Sequence, residues 1–221
     1  MISELSKAEK AYSDSKGKKG YISFYQLVVK RGIDIVGCIA ALPFVTVVMI
    51  PIAVAIKMED HGPLFYKSMR LGKDFKEFGM LKFRSMKVNA PDIRTADGST
   101  YNSDDDPRVT KIGRFLRKTS LDEIPQFLNV LAGQMSFVGN RPDTPRMLDV
   151  YTDDEKKWLL ITKPGITGYS QAYYRNSTTC EEKIANDIYY AQHESFGLDV
   201  KIIFRTIRTV LFRENINRSE V

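Results

Sequence analysis

The chain is poor in the residues that build disulfide frameworks and zinc sites, with two cysteines and two histidines among 221 residues. Cys38 lies in an apolar segment and Cys180 in a distant polar stretch, so neither a disulfide framework nor a thiolate metal site is expected. His61 and His193 are too few for a histidine-rich zinc site. This composition suits a reducing compartment.

Acidic residues are outnumbered, since 33 Lys and Arg face 27 Asp and Glu and give a net charge of +6. The excess favours an anionic partner, such as lipid headgroups, a phosphorylated small molecule or nucleic acid. Nucleic acid is disfavoured, because the tyrosine pairs 173–174 and 189–190 are not interleaved with a basic stripe and no nucleic-acid-binding module is recognisable.

Charge is absent altogether from residues 35–56, and 18 of these 22 residues are apolar. As a helix the segment would be about 33 Å long, enough for a hydrocarbon core of about 30 Å. It is too long and begins too late for a secretory signal peptide. One transmembrane span is the simplest interpretation.

Two features instead favour a re-entrant helix over residues 30–57, which would enter and leave the membrane on the same side. Pro43 interrupts the apolar segment and predicts a break there. Residues 1–31 carry seven Lys and Arg against three acids, and residues 57–73 carry four more. Basic flanks tend to stay cytoplasmic, which places both ends on that side. Backbone groups at the break would need partners, and the sequence alone does not decide between a span and a re-entrant helix.

The remaining sequence predicts an α+β fold that is mostly helical. Residues 1–29 are a polar basic tail, and alternation within residues 62–86 predicts a short β-hairpin with its turn at 71–74. The apolar periodicity predicts helices over the ranges 108–118, 121–131, 153–161, 181–194 and 198–213. The last of these would either lie on anionic lipid or pack against the core.

Two adjacent acids are the strongest local candidate for chemistry. Ser120 followed by Glu123 matches a capping box, so Ser120 is predicted to be a helix N-cap with Asp122 and Glu123 in the first turn. That interpretation needs no chemistry. However, Arg117 precedes the acids and Arg141 follows them, and guanidinium groups at a helix start could bind phosphate.

A carboxylate among these cations would stay ionised and could attack phosphorus. Neighbouring acids without His or Cys favour Mg²⁺, which substrate phosphates would share. Lys82 and Arg84 on the second predicted strand could add positive charge, although a solvated strand face explains Lys82 equally well. The acidic run 104–106 also invites a metal, but an Asx-turn before Pro107 is favoured.

A series of motifs makes the chain resemble the bacterial sugar transferase family, the small monotopic phosphoglycosyl transferases, from about Lys30 to Arg213. No single motif is decisive, but their joint order is highly specific. In chain order they are Lys30-Arg31 with Asp34, the proline-containing apolar run, Arg70 with Gly72, Lys82-Phe83-Arg84-Ser85-Met86, Asp106-Pro107-Arg108-Val109-Thr110, Leu121-Asp122-Glu123-Ile124-Pro125-Gln126, Ser136-Phe137-Val138-Gly139-Asn140-Arg141-Pro142 and Pro164-Gly165-Ile166-Thr167-Gly168.

The resemblance implies that a sugar-1-phosphate moves from a UDP-sugar to a polyprenol (undecaprenyl) phosphate, with release of UMP. Asp122 matches the family's nucleophile, which forms a covalent phosphosugar intermediate, and Glu123 matches its partner acid. Mg²⁺ is the expected cofactor, held by these two acids. Arg117 and Arg141 match positions associated with phosphate binding.

The resemblance also implies an architecture and a location. A re-entrant helix broken at Pro43 would lead into a catalytic domain over residues 58–221, with amphipathic helices along the cytoplasmic face of the bacterial inner membrane. Membrane lipid would be a partner, and a homodimer is compatible with the sequence. The product would enter capsule, O-antigen, exopolysaccharide or glycoprotein synthesis, and the sequence does not name the sugar.

Three positions depart from the family pattern. Leu42-Pro43 stands where Ser-Pro is frequent, so a hydroxyl that could satisfy freed backbone groups is missing. Asn140 replaces the first proline of Gly-Pro-Arg-Pro, which makes that loop less rigid. Lys163 replaces the arginine that often precedes Pro-Gly-Ile-Thr-Gly and loses its bidentate fork.

A non-catalytic adaptor on the membrane surface is the alternative function. In that case the basic tail and the C-terminal helix would bind anionic lipid, and the two acids would only cap a helix. The flanking arginines argue against it, because an adaptor has no need of them at that place.

Overall fold

A computed structural model describes residues 7, 10, 13–14, 23–91, 93, 103, 106–174 and 178–211, without the side chains of the last two. Seven α-helices occur in these ranges: α1 (Lys30–Glu59), α2 (Lys111–Thr119), α3 (Gln126–Leu131), α4 (Asp153–Leu159), α5 (Tyr169–Tyr173), α6 (Cys180–His193) and α7 (Phe196–Leu211). The strands are β1 (Phe65–Leu71), β2 (Glu77–Phe83), β3 (Ser136–Val138) and β4 (Gly165–Thr167). The mostly helical α+β prediction is confirmed.

The described residues form two compact units, each built from separate stretches of chain. The larger unit takes the described parts of Met1–Gly37, Met69–Gly79 and Asn129–Val221, and the smaller unit takes Cys38–Ser68 and Met80–Leu128. Helix α1 and the hairpin strands contribute residues to both units.

The apolar segment forms one long helix. A π-helical turn over Tyr25–Val29 leads directly into α1, which stays helical through Pro43 and Pro51. The helix Tyr25–Glu59 is long and apolar enough to cross a membrane, with a mean hydropathy of 2.6 in its 18-residue window. Phe44 is 76% exposed, and its neighbours Val47 and Ile50 are also exposed. A re-entrant path broken at Pro43 stays a prediction, as does a span.

The C-terminal turns of α1 are part of the core of the smaller unit. Ile52 and Ile56 are buried there with Phe83 of β2 and Leu116 of α2. Phe65 of β1 stacks on Phe83 with ring centroids 5.6 Å apart. The predicted hairpin is confirmed, since β1 and β2 form a two-stranded sheet. The apolar run is therefore not uniformly exposed, because its last two turns are packed against protein.

The larger unit has two hydrophobic clusters. The first surrounds Trp158 of α4 and Ile188 of α6, and the second surrounds Tyr169 of α5 and Ile202 of α7. Helices α4 and α6 begin with capping boxes formed by the N-cap threonine and the glutamate three residues later. These local signals explain why the helices predicted over 153–161 and 181–194 are found.

The C-terminal helix α7 has two different sides. Ile202 and Thr209 are buried, whereas Phe204 and Ile207 are 70% and 50% exposed. The alternative of packing against the core is confirmed for the face that carries Ile202, and contact of the exposed face with lipid stays a prediction.

Strands β3 and β4 pair in parallel, which the sequence analysis did not predict. Ser136 is the partner of Gly165, and Val138 is the partner of Thr167. The pairing requires glycine, because a Cβ atom at Gly165 would lie 2.1 Å from the backbone nitrogen of Gly139. The two glycine-containing motifs of the sequence are thus one structural unit.

We expect Gly165→Ala to lower the free energy of unfolding by roughly 1–3 kcal/mol, because the added methyl group would force the two strands apart. Gly197→Ala is the control, since a Cβ there meets nothing within 4 Å and alanine favours the helix. Thermal and denaturant unfolding of the detergent-solubilised protein would measure both. Equal stability of the two variants would contradict the close approach of β3 and β4.

Candidate active site

The predicted capping box at Ser120 is wrong. Ser120 is left-handed, with φ 57°, and makes no side-chain capping hydrogen bond. Its N–H donates instead to Arg117 O at 3.3 Å, so Ser120 closes α2 rather than opening the next helix. The residues Leu121–Glu123 form a single 3₁₀ turn, and α3 begins only at Gln126, after Pro125. The two acids therefore lie on a tight corner between two helices.

One lysine contacts both acids at this corner. Lys82 Nζ on β2 donates to Glu123 Oε1 at 2.8 Å and lies 3.9 Å from Asp122 Oδ2. The shorter distance is a charge-assisted hydrogen bond, and the longer one is an ion pair without one. Asp122 is buried, so the ammonium group compensates part of the cost of placing two carboxylates side by side. The structure thus brings together three of the predicted site residues.

Arg117 belongs to the same cluster. Its Nε donates to Ser85 Oγ at 2.9 Å, and it interacts electrostatically with Asp122. Burial lowers the pKa of the guanidinium, while the charges of Asp122 and Asp106 oppose that shift. An arginine remains protonated at neutral pH in any case. Arg117 is therefore a fixed positive charge next to Asp122, as a phosphate-binding role requires.

Two supporting residues were not singled out as site residues from the sequence. The backbone N–H of Arg108 donates to Asp106 Oδ1 at 3.0 Å, which confirms the predicted Asx-turn at this residue. The Arg108 guanidinium also binds both carboxylate oxygens of Asp106, and these hydrogen bonds hold the pKa of Asp106 at about 2. The pattern Asp-Pro-Arg was the available signal. Residues 104 and 105 of the acidic run lie outside the described residues.

Arg84 is engaged elsewhere. Its guanidinium donates to Asp60 Oδ2 at 2.6 Å, to Asp60 O at 2.9 Å and to Pro63 O at 2.6 Å. The hydrogen bonds from Arg84 hold the pKa of Asp60 below its usual value. This geometry fixes the residues after α1 to the end of β2. A phosphate-binding role for Arg84 stays a prediction that its contacts do not support.

Arg141 belongs to the larger unit. It lines a cavity of about 20 Å³ together with Asn140, Asp143 and Asp187. A cavity of this size holds about one water molecule, so it is not itself a substrate pocket. The association of Arg141 with phosphate stays a prediction from the family resemblance.

The two acids fit a magnesium ion only with help from a substrate. In the ranges that the structure describes, no group of three or more His, Cys, Asp or Glu side chains could hold a metal ion. Mg²⁺ is commonly bound by one or two carboxylates, several waters and substrate phosphates. Asp122 and Glu123 supply the two carboxylates, so their chemistry fits such a shared ion.

Comparison with known proteins assigns the class that this fold and this corner suggest. Residues 25–213 match the family described as bacterial sugar transferase. The chain belongs to the bacterial sugar transferase family.

The relatives differ in length, and two of the three described here are named as transferases that act on undecaprenyl phosphate. The chain is 38% identical over 188 residues to the UDP-N-acetylgalactosamine-undecaprenyl-phosphate N-acetylgalactosaminephosphotransferase of Aeromonas hydrophila, covering 83% of this chain and 44% of that protein. It is 41% identical over 187 residues to the UDP-glucose:undecaprenyl-phosphate glucose-1-phosphate transferase of Escherichia coli, covering 81% and 39%. It is 37% identical over 193 residues to the uncharacterized sugar transferase EpsL of Bacillus subtilis, covering 87% and 92%. The chain thus spans less than half of the first two relatives and nearly all of the third.

The low pKa of Asp106 predicts an acid sensitivity. Because the folded-state pKa, about 2, lies below the ordinary value of 3.8, ionised Asp106 stabilises the fold above pH 3.8, and this stability is lost as the pH falls towards 2. Asp106→Asn should therefore lower the melting temperature at pH 5. Between pH 4 and 2 the melting temperature of this variant should decrease less than that of the wild type. The exposed Asp153, changed to Asn, is the control. A wild-type pH profile for Asp106→Asn would contradict the pairing with Arg108.

Proposed function

We propose that the protein transfers a sugar-1-phosphate from a UDP-sugar to undecaprenyl phosphate and releases UMP. The observation that carries this proposal is the corner on which Lys82, Arg117 and two carboxylates converge. Membership of the family and the names of the relatives support the substrate class. Asp122, Glu123, Lys82 and Arg117 of the predicted site lie at this corner, whereas Arg84 and Arg141 do not.

In the proposed first step Asp122 attacks the phosphorus that carries the sugar. A carboxylate oxygen forms the new bond, the bond from that phosphorus to the bridging oxygen breaks, and UMP leaves with the electron pair. Burial limits the water around Asp122, and the Lys82 ammonium group lies 3.9 Å from Oδ2 without a hydrogen bond to it. Arg117 would stabilise the charge that develops on the phosphoryl oxygens.

In the second step an oxygen of the polyprenol phosphate attacks the same phosphorus. The bond to Asp122 breaks, and the carboxylate is restored. Glu123 holds Lys82 through the 2.8 Å hydrogen bond and would share Mg²⁺ with Asp122. When bound, Mg²⁺ would neutralise charge on the donor phosphates.

The membrane helix fits this reaction because the two substrates differ in solubility. A UDP-sugar is dissolved in the cytoplasm, whereas undecaprenyl phosphate is fixed in lipid, so the reaction must take place at the interface. We propose the cytoplasmic face of the inner membrane, with α1 re-entrant and both of its ends on that face. The product would serve bacterial glycoconjugate synthesis.

The decisive variant is Asp122→Asn. We expect UMP release from a UDP-sugar and a polyprenol phosphate in detergent to fall at least about 1,000-fold, because the nucleophile is removed. Membrane association should be unchanged. Mass spectrometry of wild-type protein quenched with its donor should show a phosphosugar adduct on Asp122.

The matched control is Asp74→Asn, an exposed residue with φ 55° at which asparagine is tolerated. It should retain wild-type UMP release. A panel of UDP-sugars should be tested, so that an inactive donor is not mistaken for an inactive enzyme. Full activity of Asp122→Asn would refute the mechanism and favour the membrane adaptor.

The topology makes a separate prediction. Single cysteines placed in the basic tail and in α7 of a Cys38→Ser, Cys180→Ser background should both be shielded from a membrane-impermeant thiol reagent in intact cells. Both should react after the cells are opened. Labelling of one site from outside would show that α1 spans the membrane.

A further inference from the structure

Three cationic side chains interact electrostatically in the larger unit near the N-terminal end of α1. They are Arg31, the second residue of the helix, Lys73 in the turn between β1 and β2, and Lys163 just before β4. A Cβ atom added at Gly133 would lie 3.5 Å from Arg31 Nη2 and 3.7 Å from Lys163 Nζ, so both groups lie around one point.

Three hydrogen bonds to backbone carbonyls hold this arrangement in place. Arg31 donates from Nη1 to Val130 O at 2.6 Å and from Nη2 to Leu131 O at 2.9 Å, so it caps the C-terminal end of α3. The N–H of Asp74 donates to Leu160 O at 2.7 Å, which fixes the turn carrying Lys73 against the segment that leads to Lys163. The cluster is therefore built by the fold.

The fold does not neutralise this cluster. Among the described residues, no hydrogen-bond or salt-bridge partner is found for the ammonium group of Lys73 or of Lys163. Burial lowers the pKa of Lys163, and repulsion from Arg31 and Lys73 lowers it further. In the described part of the chain, Asp34 is the acid that acts against this shift, and it also interacts electrostatically with Arg31. Its Oδ1 already accepts from Ser136 Oγ at 2.9 Å and from Phe137 N at 3.0 Å.

Lys30, which precedes Arg31, differs from these cations because its ammonium group is paired with carboxylates. Lys30 Nζ lies 2.6 Å from Glu194 Oε1, 2.7 Å from Asp199 Oδ2 and 2.7 Å from Tyr190 OH. Its charge is buried and fully compensated. The next residue, Arg31, belongs to the cationic cluster around Gly133, which is not enclosed by carboxylates in this way. An external anion would therefore reduce the repulsion among the three cations.

We propose that Arg31, Lys73 and Lys163 form a binding site for the phosphate of an anionic phospholipid headgroup. Arg31 precedes the apolar stretch of the helix that is apolar enough to enter a bilayer, which would set the cluster at the level of the headgroups. Guanidinium and ammonium groups are the usual phosphate ligands of proteins. The proposal does not depend on the transferase reaction.

The test is lipid retention by the full-length protein, measured by native mass spectrometry from detergent micelles. Phosphatidylglycerol and phosphatidylcholine with identical acyl chains are added in separate samples. We expect Lys163→Gln and Lys73→Gln each to lower phosphatidylglycerol occupancy at least fivefold at half-saturating lipid, with phosphatidylcholine unaffected. Lys163→Arg keeps the charge and should retain the wild-type occupancy.

The matched control is Lys76→Gln, which removes the same charge from an exposed residue of the same turn. It should bind phosphatidylglycerol as the wild type does. Equal losses in Lys76→Gln and Lys163→Gln would overturn the proposal, since they would indicate a diffuse charge effect. Retention of undecaprenyl phosphate or inorganic phosphate that depends on Lys163, without retention of phosphatidylglycerol, would also overturn it and assign the site to another phosphate.

Discussion

The contact on which the candidate site depends is the one between Lys82 and two adjacent carboxylates. Without its ammonium group, Asp122 and Glu123 would place two negative charges on one short turn, partly shielded from water. Lys82 also lies at unequal distances from the two carboxylates, 2.8 Å from Glu123 Oε1 and 3.9 Å from Asp122 Oδ2. Lys82 is hydrogen-bonded to Glu123 and only ion-paired with Asp122, so the two acids differ in environment although they are neighbours in sequence.

The charges of the residues around this contact balance one another. Asp106, Asp122 and Glu123 are matched by Lys82, Arg108 and Arg117, and the Asp106–Arg108 pair is closed by hydrogen bonds of its own. A nucleotide-sugar would add the charges of two phosphates to a cluster that is already neutral. This is the physical reason why a divalent cation shared with the phosphates suits the proposed reaction better than the protein residues alone.

What the sequence could predict follows from how local each feature is. Helices α4 and α6 begin at capping boxes, and the hairpin has alternating strands around a polar turn, so both were accessible to local rules. The same capping pattern gave a wrong prediction at Ser120, because the residues before it are already helical and Ser120 is the left-handed C-cap of α2. The β3–β4 pair joins three-residue strands far apart in sequence, too short for a periodic signal. Asp122 and Glu123 were candidates from two adjacent acids near arginines and from the order of the motifs, whereas their contact with Lys82 needed the fold.

Helix α1 continues through Leu42-Pro43, the pair that stands where Ser-Pro is frequent in the family. Pro43 cannot donate to the carbonyl of Ile39, and the hydroxyl frequent before this proline is absent. Thr46 places a hydroxyl within the next turn, where it donates to Leu42 O at 2.8 Å. This back-bonding does not replace the lost hydrogen bond, but it bends helices and hides the hydroxyl from an apolar surrounding. Pro43 and the Thr46 hydrogen bond, both of which favour bending, thus lie within one turn of the exposed part of α1. Ile52 and Ile56 pack the end of this helix into the core of the smaller unit. The helix is nevertheless continuous through this turn, so a re-entrant path that bends here stays a prediction.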